Sequence, residues 1–179
     1  MTKSNPLSIV DIALIARKLR KEWNIKDGEA FPIFDYINDL FGKGLITIQI
    51  LDDNDPYLDE KTPAKYNAYD NHIYIKESVL IDYEEKNYRA NFTLAHELFH
   101  YIQSKVLNFD FEEVEECKPY ENIEWQANEF AGELLVPKAY LDLDDEELVN
   151  RFQVTLECVL TRKVQTKRRI ERSKQNEKN

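Results

Sequence analysis

The chain has 179 residues, 42% of them apolar, a formal net charge of −10 and two cysteines. That length fits one domain with at most a small appendage, and the apolar share is enough for a real core. No disulfide framework, no bilayer-length apolar run and no signal-peptide core can be read from it, which excludes a stapled secreted scaffold or a membrane-spanning protein and points to the cytoplasm.

From Ser8 onward apolar residues recur at helical spacing: Ile9, Ile12, Ala13, Ala16, Leu19 and Trp23. Ser8 fits an N-cap, with Asp11 three residues on. The segment FPIFDYINDLFGKG predicts a second helix, opened by Pro32 and stopped at Gly42 or Gly44. LITIQIL, residues 45–51, is β-branched and predicts a strand. The loop DDNDPYLDEKTP leads to two short strands around a turn at Asp70-Asn71. In HIYIK, His72, Tyr74 and Lys76 share one face and Ile73 and Ile75 the other. That alternation predicts a half-exposed strand near a sheet edge. Two longer helices follow, one over about 86–105 and one in ENIEWQANEFAGELLV, ended by Pro137. Between them lies an acidic linker. Short helices are expected in DDEELVNRFQV and TLECVLTRKV, with a turn near Val154-Thr155. These elements predict a mainly helical α+β fold with a small antiparallel sheet of about three strands beside the first long helix.

Charge divides the chain. Residues 151–179 carry nine Lys and Arg against three Glu, whereas residues 1–150 carry 15 basic and 31 acidic residues. The acidic body disfavours nonspecific nucleic-acid binding. The basic end is read as a solvated, flexible tail over 166–179, with contact to an acidic partner or to DNA as the other use.

The first long helix contains FTLAHELFH. With His96 at zero and about 100° per residue, His100 falls about 40° away and Glu97 about 100° away. Ala95, Leu98 and Ile102 lie about 100° or more from His96 and give the helix an apolar side, with Phe92 and Phe99 at the border of the strip. Two imidazoles one turn apart can grip one ion, and the neighbouring glutamate reaches the space before it. This is the logic of a zinc-hydrolase helix. Taken alone, the same five residues also describe an exposed strip that binds nothing.

A third ligand must come from elsewhere. On the second helix, Ala127, Ala131, Leu134 and Leu135 lie within about 80° of Glu124, and Asn128 about 40° from it. Trp125, Gln126, Glu129 and Glu133 fall on the other side, where glutamate is cheap. A carboxylate amid an apolar face is costly unless paired or metal-bound, which selects Glu124 as the ligand. Asn128 can fix a ligand histidine's tautomer. The competing view places Glu124 in a solvated first turn, serving the helix dipole. His72 and Cys117 remain the other ligand candidates.

With FTLAHELFH at 92–100 and EWQANEFAGELLVP over the second helix, the chain resembles the ImmA/IrrE metallopeptidases. The resemblance covers roughly residues 8–163, weakly outside the paired motifs. LVNRFQVTLECVLTRK looks like the helix-turn-helix-like segment that follows the catalytic helices in that family. The implied division is a peptidase domain at 1–142, that segment at 143–165 and the basic tail at 166–179. The resemblance implies one Zn2+ per chain held by His96, His100 and Glu124. The arrangement is also similar to gluzincins, in which the residue at the Asn128 position orients a ligand histidine. The family usually has Gly at the position of Phe99, so the cleft or the packing should differ there.

Family members commonly cleave a helix-turn-helix repressor and derepress phage, mobile-element or stress genes. The implied function is therefore a zinc endopeptidase acting on such a partner, with Glu97 as general base. An oxyanion donor is expected from Tyr74, Tyr101, Tyr120 or Tyr140. HIYIK is the expected docking strand for an extended substrate. The rival readings are a partner-binding module without catalysis and a DNA-binding regulator using residues 144–169.

Overall fold

The computed structural model describes residues 1–176, with side chains described to residue 171. Helix α1 spans Ile9–Glu22 and opens on the expected capping box. Ser8 Oγ accepts the Asp11 N–H at 3.2 Å, and the Asp11 carboxylate accepts the Ser8 N–H at 2.9 Å. Helix α2, Ile33–Gly42, follows Pro32 as expected. Gly44 then adopts φ +67°, a left-handed turn that glycine makes without steric cost before the chain enters the sheet.

A short strand β1, Thr2–Lys3, precedes α1; β2, β3 and β4 cover Thr47–Leu51, Ala64–Asn67 and His72–Lys76. The last three form one sheet in the order β2-β4-β3. The β3–β4 pairing is antiparallel but β2–β4 is parallel, so the sheet is mixed where an antiparallel one was expected. HIYIK is also the central strand, not a half-exposed strand near the edge. Ile73 and Ile75 are fully buried on one face, and Tyr74 and Lys76 are buried on the other. Lys76 is tolerable there because Nζ donates to the Asp59 carbonyl at 2.7 Å.

Helix α3, Glu77–Glu84, which the sequence reading did not single out, leads to α4, Arg89–Tyr101. A π-helical turn, Ile102–Val106, extends α4. After β5, Glu112–Glu113, which pairs with β1, comes α5, Ile123–Leu135, capped by Asn122. Helices α4 and α5 pack on each other, and α1 covers another side of α5. Phe99 is fully buried and stacks on Phe130 with ring centroids 4.4 Å apart. The residue that departs from the family pattern therefore tightens packing at the back of the two helices and does not narrow a cleft.

Helix α6, Asp145–Phe152, and α7, Leu156–Asn176, complete the fold around a turn at Gln153, which has φ +54°. The boundary expected at residue 165 is not a structural break. One helix runs through it to Asn176, and the part of the expected tail at 177–179 lies outside the described residues. The reason is ionic. Arg162, 3% exposed, reaches Glu133 at 2.7 Å and Glu129 at 3.8 Å, and Arg169 pairs with Glu129. Glu129 and Glu133 are thus buried carboxylates, not residues of a cheap outer arc, because α7 covers that side of α5. A Cβ on Gly132 would sit 2.5 Å from Arg162 Cδ, so the missing side chain is what lets the arginine lie on α5. Of the nine basic residues after 150, Arg151, Arg162, Lys163 and Arg169 are engaged in intramolecular pairs.

Two outcomes are expected. Phe99→Ala should lower the unfolding free energy by about 3–5 kcal/mol through the cavity between α4 and α5, measured by urea denaturation. Arg162→Ala should cost a similar ~3–5 kcal/mol, because it strands the buried Glu133 carboxylate and leaves Glu129 with Arg169 alone. A change below about 1 kcal/mol in the same assay would contradict the ion pairing.

Candidate metal centre

Helix α4 sets two imidazoles on one strip by its period alone, four residues apart. Helix α5 meets it so that Glu124, in the first turn after Asn122, faces that strip. His96 Nε2 lies 3.1 Å from Glu124 Oε2 and 3.0 Å from His100 Nε2, and His100 Nε2 is 3.5 Å from Glu124 Oε1. Among the described residues these three form the group of donors able to share one ion, all within 4.8 Å of one another.

The two imidazole side chains are 16% and 14% exposed and Glu124 is 60% exposed, so the cluster opens to solvent on the carboxylate side. Glu124 does stand opposite the histidines, but the reason advanced from the sequence is inverted. Glu124 and Asn128 are the exposed positions of an otherwise buried helix middle, and the buried carboxylates are Glu129 and Glu133. Angular position on α5 could not reveal this, because the apolar side and the α7-covered side are both inside.

Each ring is held from behind. His96 Nδ1 faces Asn128 Oδ1 at 3.1 Å, the expected partner. His100 Nδ1 faces Gln103 Oε1 at 3.0 Å, a partner the sequence reading missed. A signal existed, since residue 103 falls within about 20° of His96 on the helical wheel. With both Nδ1 atoms turned to amide oxygens, both Nε2 atoms point to one centre.

The electrostatics fit a cation there. Hydrogen bonds from His100 and His96 hold the Glu124 carboxyl far below its usual range, against some desolvation. Burial pulls His100 down, but Glu124 and the charge of Glu97 outweigh it and the net shift is upward. The cluster is thus already arranged around positive charge, and two nitrogens with one carboxylate are a donor set suited to zinc, with a coordination position to spare.

Glu97 is 9% exposed and lies beside the cluster. Its Oε2 accepts the Tyr66 N–H at 2.7 Å, which ties it to strand β3. Burial raises its pKa despite the nearby histidines and that hydrogen bond. Its environment therefore favours taking up a proton, the direction a general base requires.

The other candidates stand apart. His72 stacks on Tyr74, its Nδ1 2.7 Å from the Asp70 carbonyl, and neither it nor Cys117 joins the donor group. The Tyr74 hydroxyl donates to Asp70 Oδ2 on the far face of the sheet, in a cluster with Leu51 and Leu58. Tyr101 packs edge-on against Tyr66, and Tyr140 packs on Phe152. Tyr120 lies beside Lys118, and its carbonyl, not its hydroxyl, serves the site's surroundings. None of the four hydroxyls hydrogen-bonds to the His–Glu cluster among the described contacts.

The family model described as IrrE N-terminal-like domain, a peptidase family, matches residues 55–163, which include the cluster, α6 and the start of α7. No curated protein matches the chain. Among solved structures, a Mycobacterium tuberculosis transcriptional regulator aligns with TM-score 0.53 and 20% identity, over 83% of this chain and 45% of its own. The chain thus spans less than half the length of that structure, and the likeness is one of fold. No described helix is long and apolar enough to cross a membrane.

Glu124→Ala should lower zinc affinity by at least about 10-fold, read by competition with a chromogenic chelator. Affinity equal to that of the unaltered protein would remove Glu124 from the ligand set.

Proposed function

The chain belongs to the IrrE N-terminal-like peptidase family, and on that premise we propose that it is a zinc-dependent endopeptidase that cuts a helix-turn-helix regulator protein. The observation that carries this reading is the convergence of His96, His100 and Glu124 with Glu97 one residue from the first ligand.

When bound, zinc supplies a Lewis acid that polarises the scissile carbonyl and lowers the pKa of a water to about 7. His96 Nε2, His100 Nε2 and a Glu124 carboxylate oxygen are the atoms that would hold it. Because Glu97 Oε2 is occupied by the Tyr66 N–H, Oε1 is the oxygen that takes the water's proton. Glu97 then returns that proton to the leaving amine.

The docking strand is β3 and not HIYIK, since both edges of β4 are already paired. Lys76 N–H donates to the Pro63 carbonyl, which places Lys65 and Asn67 in the hydrogen-bonded positions facing β4. The main-chain groups of Ala64 and Tyr66 therefore face outward. Tyr66 N–H is held by Glu97, and the two carbonyls and the Ala64 N–H are positioned to pair with an extended peptide beside the catalytic carboxylate.

The regulator substrate rests on the family resemblance, as does a cytoplasmic location. Residues 1–142 are read as the peptidase domain and 143–165 as a helix-turn-helix-like segment, its long helix fastened to α5 through Arg162. That fastening, and the internal pairing of four basic side chains, weigh against DNA binding as the main role.

The test is to mix the full chain and zinc with a helix-turn-helix regulator encoded beside it, and to identify fragments by mass spectrometry. Glu97→Gln should keep zinc and cut at least about 100-fold more slowly. Undiminished cleavage by this variant would overturn the general-base role, and a stable complex without fragments would instead favour a non-catalytic binding module.

A further inference from the structure

We infer that Gln103 and Gln126 are positioning residues that impose one tautomer on His100, and that the direction of this relay is set by two main-chain carbonyls, one of them in the N-terminal segment. The inference rests on the metallopeptidase reading for its purpose, but not for its physics.

Gln103 and Gln126 are both fully buried, and Ser4 is 5% exposed. The chain of contacts begins at two main-chain carbonyls. One end of the Gln126 amide meets the Asn5 carbonyl at 2.9 Å and the Tyr120 carbonyl at 2.8 Å. Carbonyl oxygens only accept, so that end must be the NH2 group, and the oxygen must point the other way. There it meets the Gln103 amide at 2.7 Å, with Ser4 Oγ as a second donor at 3.3 Å. An oxygen facing Gln103 requires the Gln103 NH2 on that side. Its own oxygen is then turned to His100 Nδ1, 3.0 Å away. His100 must therefore donate from Nδ1, and in the neutral ring the lone pair is left on Nε2, facing the cluster. Each step follows from the one before, and no amide in the series can flip without opposing two donors or two acceptors in a buried place.

The anchor is tertiary. Ser4 N–H donates to the Glu121 carbonyl at 2.8 Å and Leu7 N–H to the Tyr120 carbonyl at 2.9 Å. Strand β1 pairs with β5, and Lys3 bridges to Asn122. The first seven residues thus bind the turn that caps α5. The same strap fixes Glu124 through the helix start and His100 through the amide relay. His96 is held separately by Asn128 and provides an internal reference.

The experiment uses the full metal-free chain with 15N-labelled histidine at pH about 9, where free imidazole is neutral. Long-range 1H–15N spectra give the tautomer of each ring. In the unaltered protein His100 Nδ1 should be protonated; a neutral ring with its proton on Nε2 and a bare Nδ1 overturns the proposal without any variant. Gln126→Met removes no contact to His100 but releases the direction of Gln103. It should give His100 a mixture of tautomers, as should Gln103→Met, while His96 keeps its Nδ1 proton. A purely structural effect would disturb both rings or neither. His100 remaining wholly in the Nδ1–H form in Gln126→Met overturns the relay. In the zinc arm both variants should lose about 10- to 100-fold in affinity. Unchanged affinity in both would mean that the relay does not serve the metal. If the unaltered protein binds no zinc, the metallopeptidase reading fails, while the tautomer spectra still judge the relay.

Discussion

The contact between α4 and α5 is the constraint from which the site follows. Stacking of Phe99 on Phe130, with Leu94, Leu98 and Leu134 fully buried nearby, locks the two helices at their apolar backs. Once the backs are locked, the fronts are fixed. The histidine strip of α4 faces the first turn of α5, and Glu124 and Asn128 fall opposite His96. A metal site of this kind asks for sub-ångström placement of groups from different helices, and dense apolar packing supplies the rigidity.

Around that contact, the buried charges and amides named above sit beside an opposite charge or a hydrogen-bond partner. Glu129 and Glu133 lie under α7 because Arg162 and Arg169 come with it. Arg20 is buried because its guanidinium donates to the Leu134 carbonyl at 2.8 Å, at the far end of α5. Gln103 and Gln126 are buried because they answer each other and the N-terminal strap. Helix α5 is therefore enclosed on nearly every side, and the opening left at Glu124 and Asn128 is where chemistry is possible.

Much of the local structure was legible in the chain. Ser8 and Asp11 announced the start of α1, Pro32 and Gly42 bounded α2, and the spacing of His96, Glu97 and His100 placed them on one strip. These are short-range facts, carried by capping chemistry and the helical period. The readings that failed were long-range. HIYIK alternates like an edge strand, yet β2 and β3 flank it. Glu129 and Glu133 read as solvated until α7, some thirty residues on, covers them. A basic run read as a free tail is in part a set of counter-charges for an interior.

The sequence by itself determined the histidine strip, because two histidines at i and i+4 must share a helix face whatever surrounds them. It determined too that a glutamate would stand beside them, since adjacent positions differ by a fixed angle. Tertiary structure alone decided that Glu124 lies open beside the two rings while Glu129 and Glu133 are covered, which strand borders Glu97, and which amide oxygen His100 Nδ1 meets. Those choices depend on what is covered and what each buried polar atom meets, and residues far apart in the chain settle both.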